Sequence, residues 1–498
     1  MRAIELHLPI LQVLVPLIAA LLSAFCRRGT TAWALALLAT WAAAAIAWWL
    51  VLKVTGTGQP ISYLLGGWNV PIGIEYRVDA LNAFVLALVT SVGAILMPYA
   101  RKSVAQEVDS HNQAWFYTMY LLCLAGLLGI AVTGDAFNVF VFMEISSLAT
   151  YVLIAMGRHR RALLAAYQYL IVGTIGATFY VIGVGLVYLV TGSLNLYDIA
   201  QQLGTAPPEL LRPLLTGLGF LTVGICLKLA LFPLHLWLPN AYAYAPSLAT
   251  AFLAGTATKV AIYLLIRILF SMYGVTFSLQ SLPIPEMLLV LSIAAMLIAS
   301  LSAAFESNTK RLMAYSSVAQ IGYITLGIAL VNQSGLTGGI VHMMNHAAIK
   351  AALFMALGAV FYRIGSVEIS DMAGIGRRMP LTMAAFVVAG LGIIGVPGTA
   401  GFISKWYLAI GALEKGYWPL VFLIVASSLI AVVYIGRVVE AAYFRAPGPL
   451  AEKAHEPPLS MLVPLIVLAA IIIWLGIDTR FSVDLASQAA KMLLGGLK

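Results

Sequence analysis

Residues 214–239 read LLTGLGFLTVGICLKLALFPLHLWLP, and the architecture turns on this stretch. Fourteen uncharged residues precede Lys228, and a second apolar run carrying Pro233 and Pro239 follows it. A helix of roughly 20 apolar residues is what the hydrocarbon core of a bilayer requires. A lysine near the centre of such a helix costs about 2.5–3.5 kcal/mol even on insertion scales. Proline inside a helix removes a hydrogen bond and kinks it. A membrane segment that keeps all of these reads as a broken helix with a polar interior or a functional charge.

Composition extends this reading to the whole chain. Of 498 residues, 62% are hydrophobic and 9% are charged, against roughly 25% charged in a soluble domain. A soluble chain of this length would need several polar-surfaced domains, and no stretch has that composition. The net charge of +9 lies in short basic clusters between apolar runs. No aromatic-interleaved basic patch supports nucleic-acid binding, and the excess suits loops against an anionic membrane face. Cys26, Cys123 and Cys226 stand apart from one another, so no disulfide framework, zinc site or iron–sulfur cluster follows. The N-terminal run ends at Cys26 with Arg27 and Arg28 directly after it. It reads as a retained first span rather than a cleaved signal peptide.

Apolar spans fall near 8–25, 32–52, 78–99, 113–132, 135–156, 163–190, 211–232, 241–269, 285–304, 312–331, 338–361, 381–412, 418–444 and 459–477. The expected fold is therefore an all-α integral membrane protein of about fourteen helices. Strands are not expected, because membrane barrels alternate apolar and polar residues and these runs do not. Fifteen of the 28 basic residues fall on one set of loops and nine on the other. The positive-inside rule makes the richer side cytoplasmic and places both termini outside, in the cell inner (plasma) membrane.

That count leaves Lys228, Lys259, Lys350 and Lys405 inside spans. Snorkelling of a long side chain to the interface accounts well for Lys53 at a helix end and poorly for Lys228. Glu144, in NVFVFMEISSLATYVLI, is the carboxylate near mid-span, while Asp135 suits a helix cap. A buried carboxylate and a buried lysine make each other tolerable, and separating them drives both toward neutral forms. Moving Glu144 away from Lys228 would then eject a proton. In GGIVHMMNHAAIKAALFMALG, His342, His346 and Lys350 recur every four residues and share one helix face. Stacked histidines suit a proton wire. Structural hydrogen bonding and a two-histidine metal site are the other readings, the last weakened by the lack of carboxylate or cysteine partners.

A second break is written in GIIGVPGTAGFISKW, where Pro397 lies among glycines shortly before Lys405. In transporters, discontinuous helices at matching places in two halves mark an ion site at mid-membrane. Each broken helix here carries a lysine. The glycine-rich polar segment YRIGSVEISDMAGIGRRMP joins the neighbouring spans.

The segments KLALFPLHLWLPNAYAYAPS at 228–247 and TKVAIYLLIR at 258–267 resemble the signature of the proton-translocating, antiporter-like membrane subunits. NTKRLMAYSSVAQIGY at 308–323, HMMNHAAIKAALF at 342–354 and GVPGTAGFISKW at 395–406 extend the likeness over nearly the whole chain. That family spans membrane-arm subunits of respiratory complex I, multisubunit Mrp-type cation/proton antiporters and membrane-bound hydrogenases. The resemblance implies two inverted five-helix repeats, spans 4–8 and 9–13, with helices 7 and 12 broken. It divides the chain into 1–110 (helices 1–3), 111–270, 271–446 and a C-terminal part at 447–498. It makes Glu144 and Lys228 a switching pair, Lys259 a connector, His342, His346 and Lys350 a bridge, and Lys405 the terminal lysine. Some complex I members carry glutamate where Lys405 stands. With its short tail after the last span, which could form an interfacial helix, the chain looks most like the D-type Mrp subunit. A complex I or hydrogenase paralogue is the alternative. The implied partners are other membrane subunits of such a complex, protons, a monovalent cation such as Na+, and the bilayer. No dinucleotide loop, haem ligand set or cofactor motif is present, so any electron transfer would belong to partner subunits.

Overall fold

The computed structural model describes residues 5–204 and 207–495. Arg2 and Lys498 of the loop count, and both chain ends, lie outside these residues. Backbone groups in hydrocarbon have no water to pair with, so a spanning segment must satisfy them within its own helix. Twelve helices among the described residues are long and apolar enough to cross a membrane. Numbered along the expected spans, α1 is Leu8–Ala24, α2 Gly29–Thr57, α3 Ala80–Glu107, α4 Gln113–Val132, α5 Ala136–Ala155 and α6 Arg161–Thr191. Next come α7a (Leu211–Leu229) and α7b (Trp237–Tyr244), then α8 (Ser247–Met272), α9 (Ile284–Phe305), α10 (Thr309–Ala329) and α11 (Gln333–Ile364). The chain continues with α12a (Pro380–Ile394), α12b (Ala400–Glu414), α13 (Trp418–Phe444) and α14 (Leu459–Ile477). A final amphipathic helix, α15 (Arg480–Leu494), forms where the sequence suggests an interfacial tail.

Polar residues at the helix starts set several boundaries. Asp79 accepts from the amides of Leu81 and Asn82, and Asn82 accepts in return from the Asp79 amide at 3.1 Å. This is a reciprocal cap for α3. Asp135 caps α5 by accepting from Asn138 N at 2.7 Å, and Asn308 and Asn332 do the same for α10 and α11. Helix α11 is buried along nearly its whole length. It packs against α8, α10, α12b and α14 and so forms the axis of the molecule. The outward faces of α6 and α13 stay apolar and exposed, with Leu163, Leu189, Phe422 and Leu429 among them. That is the expected face toward lipid.

The structure departs from the sequence reading in several places: α8, expected from 241, starts at Ser247, and residues 241–244 belong to α7b. An antiparallel hairpin, β1 (Ile61–Leu64) and β2 (Glu75–Val78), lies between α2 and α3 with Ile61 opposite Val78. Its strands are four residues long, too short to register as an alternating run. Pro239 is not at a break: it is the third residue of α7b, where a missing N–H costs no helical bond. Pro233 and Pro397 do lie in the breaks, within 230–236 and 395–399. Finally, Arg267 and Lys310, counted among the loop charges, are each only 3% exposed. They stand near helix ends but turn inward to polar partners.

Candidate functional site

The α7 break begins at Ala230, whose φ of +60° places a non-glycine residue in the left-handed region. Such a conformation costs on the order of 1–3 kcal/mol and persists only where its surroundings over-determine it. Lys228 lies in the last turn of α7a, where a cation complements the free carbonyls and the helix dipole. Its ammonium donates to Ser147 Oγ on α5 at 2.6 Å. Glu144 is one turn earlier on α5 and within electrostatic reach of Lys228. The two make no ion pair within contact distance, and Glu144 Oε1 is buried without a hydrogen bond. A cavity of about 40 Å³ adjoins Lys228, lined by Ser147, Ala257, Val260 and Ala261. A water needs roughly 10–15 Å³ of such space, so this cavity can wet the step from Lys228 to the turn of α8 that carries Lys259.

Helix α8 is itself interrupted. Thr256 has φ −126° and ψ −57°, between helical segments ending at Gly255 and resuming at Ala257. Its hydroxyl donates back to Phe252 O at 2.7 Å, an i−4 bond of the kind that bends helices. The carbonyl of Ala254, freed at this kink, accepts from the Lys259 ammonium. No proline marks the place, so the sequence reading missed it; the Gly255–Thr256 pair was the available signal.

On α11, His342 is held on both sides. Nδ1 pairs with Ser404 Oγ at 2.7 Å and Nε2 with Gln320 Oε1 at 3.0 Å. His346 stacks below it, with ring centroids 6.0 Å apart and planes 17° from parallel. Both His346 nitrogens are buried without a partner. Lys350 donates to Met313 O and Ser316 Oγ, each at 2.8 Å. Lys259 is within electrostatic reach of all three groups, and Gly255, just before the interruption of α8, lies beside Ala347 and Ala351 of α11.

At the α12 break, Lys405 donates to the carbonyls of Ile393 and Ile394 at 2.9 and 3.0 Å and to Ser428 Oγ at 2.8 Å. Its ammonium also sits 4.6 Å from the centre of the Tyr323 ring. Gly395 makes the bend possible. Its φ is +87°, and a Cβ there would lie 2.9 Å from Lys405 Cδ.

The four lysines thus have neutral oxygen partners throughout, and carbonyls freed by helix breaks supply several of them. Hydroxyls, an amide and two imidazoles fill the intervals, all able to donate and accept. Such groups are chemically able to take up, hold and pass protons. Ser147, Ser404 and Ser428 carry no signal in the sequence, since hydroxyls recur in most spans; Gln320, an amide inside an apolar span, is legible there and was missed. A separate buried pair was also missed. Arg267 on α8 donates to Asp79 Oδ1 and Asn82 Oδ1, each at 2.5 Å.

The family model described as NADH:quinone oxidoreductase/Mrp antiporter, TM, matches residues 133–431, a stretch running from the cap of α5 into α13. The chain belongs to this family. The antiporter-like family member NADH-quinone oxidoreductase subunit N of Desulforudis audaxviator is 43% identical over 493 residues, covering 95% of this chain and 96% of that one. The D-type subunit of the Na(+)/H(+) antiporter of Alkalihalophilus pseudofirmus is 28% identical over 434 residues, 86% of this chain and 85% of the relative. Among solved structures, a chain of the Mrp complex from Dietzia sp. DQ12-45-1b superposes with a TM-score of 0.90. It is 25% identical, with 99% of this chain and 98% of that chain covered. The chain is thus a multi-pass membrane subunit of the antiporter-like kind found in Mrp, complex I and related complexes.

Proposed function

We propose that this chain is a proton-translocating subunit of a multisubunit membrane complex. Protons move along Glu144, Lys228, Lys259, His342, His346, Lys350 and Lys405. One observation carries the reading: Lys228 and Lys405 each sit at a helix break, bonded to neutral oxygens rather than to a carboxylate. A structural lysine in hydrocarbon would be expected to find a permanent counter-charge. In this reading the helices at 111–270 and 271–446 are two inverted repeats, and α7 and α12 each take the fourth place in their group of five. The chain lies in the cell inner (plasma) membrane with its basic loops toward the cytoplasm and its ends outside.

Its relatives and structural counterparts are subunits of larger membrane complexes, and lateral membrane partners follow from that. Two kinds of complex are open to it. The 43% identity to a NADH-quinone oxidoreductase subunit supports a redox-driven pump. The 0.90 TM-score with an Mrp complex chain supports a monovalent cation (Na+)/proton antiporter. The partners that co-purify decide between them: flavin and iron–sulfur subunits for the first, small membrane subunits without cofactors for the second. The relay itself is tested by proton-coupled transport in vesicles holding the assembled complex with Lys228→Ala or Lys405→Ala. Native rates in both would remove it.

A further inference from the structure

The relay accounts for the four mid-span lysines and leaves a fifth buried lysine unexplained. Lys310, in the first turn of α10, donates to Ser247 Oγ at 2.9 Å. Ser247, the first residue of α8, donates through its amide and hydroxyl to Glu107 Oε2 at 2.9 and 3.0 Å. Ser103 donates to the other carboxylate oxygen at 3.0 Å. The Lys310 ammonium and the Glu107 carboxylate are thus bridged by one hydroxyl where α3, α8 and α10 meet. Above them opens a cavity of about 700 Å³ on the face that carries the basic loops. Arg158, His159, Arg161 and Arg311 line it as bases, and Glu306 and Glu368 as acids, beside Glu107 and Lys310 at its floor. The Phe361 ring of α11 covers the Lys310 ammonium at 5.2 Å.

Below that floor, α10 carries a polar stripe. Met313 O and Ser316 Oγ hold Lys350, and Ser317 Oγ donates to Met313 O at 3.0 Å. Tyr434 of α13 donates to Ser316 at 3.1 Å, and Gln320 pairs with His342 at 3.0 Å. At 3.6 residues per turn, positions 310, 313, 316, 317 and 320 fall within an arc of about 120° and span about 15 Å of axis. Lys310 and Met313 are three residues apart on α10, a rise of about 4.5 Å between their Cα atoms, and in this path waters would join the Lys310 ammonium to the stripe below it.

We propose that this stripe is a proton inlet from the basic face to Lys350 and His342, with Lys310 as its first carrier and Glu107–Ser247 as its seat. The inference rests on the relay reading but names an entry that the relay residues do not contain. The Lys310 ammonium would pass its proton inward to a neutral Lys350 amine or His342 imidazole, be left as a neutral amine, and be reloaded from the mouth. Arginine cannot do this, because it does not deprotonate in proteins. The alternative is a brace pinning three helices, which arginine could serve.

The experiment compares Lys310→Arg and Lys310→His in the assembled complex, measuring proton-coupled transport while pH is varied on the basic face only. We expect Lys310→Arg to assemble and to lose about tenfold or more in rate. Lys310→His should recover part of it with a profile displaced to lower pH, since imidazole titrates near 6.5. A native rate and profile in Lys310→Arg would overturn the inlet. Where Lys310→Arg does not assemble, Ser317→Ala decides: a steeper loss of rate at alkaline pH supports the stripe, and a native profile overturns it. Lys228→Ala runs in parallel. If it is inactive while Lys310→Arg is native, the inlet fails and the relay stands; if Lys228→Ala is active, the relay itself fails.

Discussion

The Lys228 ammonium donates to the hydroxyl of Ser147 at 2.6 Å, one helical turn along α5 from Glu144. The carboxylate acts on the lysine through space, and the hydroxyl fixes where the lysine points. These two roles separate experimentally.

Ser147→Ala removes a hydrogen bond to a charged group, worth about 1.5–3 kcal/mol, and leaves the lysine able to titrate. Transport should slow but persist. Lys228→Ala should lower it by about a hundredfold or more, because the carrier itself is gone. Proton uptake in vesicles at matched assembly measures both. Equal losses would mean that Ser147, rather than proton carriage by Lys228, is what the site depends on.

Two glycines at the α12 break offer a matched comparison. Gly395 and Gly398 have φ of +87° and +86°, so alanine is strained at either by on the order of 1–3 kcal/mol. A Cβ at Gly395 would press on Lys405, whereas nothing lies within 4 Å of one at Gly398. Both variants should lower the thermal midpoint of the purified complex. Gly395→Ala should in addition cut transport below that of Gly398→Ala, and indistinguishable rates would show that Lys405 has room to move aside.

The buried Arg267–Asp79 pair makes a third test, one of stability. Asp79→Asn leaves a guanidinium with no counter-charge at a site only 3% exposed. Breaking a buried pair on one side costs about 3–5 kcal/mol, while replacing both partners by apolar residues of similar size is often neutral. Asp79→Asn should therefore reduce assembled complex sharply, and Asp79→Leu with Arg267→Met should restore much of it. Quantitative recovery of complex from membranes measures the difference. A double variant as poor as the single would show that the α3 cap supplied by Asp79, which leucine removes and asparagine keeps, outweighs the ion pair.

Much of this architecture could be read from residues whose cost is large and local. Twenty apolar residues, a proline or a buried lysine each announce themselves without a partner, so a helix lies at each expected span and Pro233 and Pro397 lie in breaks, while the start of the eighth span was misplaced. What stayed hidden depended on pairing between distant helices. Arg267 and Lys310 look like loop charges because each is within a turn or two of a helix end. Only their packing against Asp79 and Ser247 shows them turned inward. Thr256 interrupts α8 through a side-chain bond to its own helix, and the Gly255–Thr256 pair that marks it is a weaker signal than a proline. Pro239 misled for the opposite reason, since a proline that starts a helix and one that stops it read alike.

The Lys405 contacts have a consequence in simple stoichiometry. An ammonium has three N–H bonds, and here all three have takers: Ile393, Ile394 and Ser428. A neutral amine has two. It also has a lone pair, so loss of the proton either turns the Ser428 hydroxyl round to donate to the nitrogen or strands one of the two carbonyls in the last turn of α12a. A change of one proton is thus registered in the bonding around the end of that helix, as a turned hydroxyl or a freed carbonyl, and not only in the field.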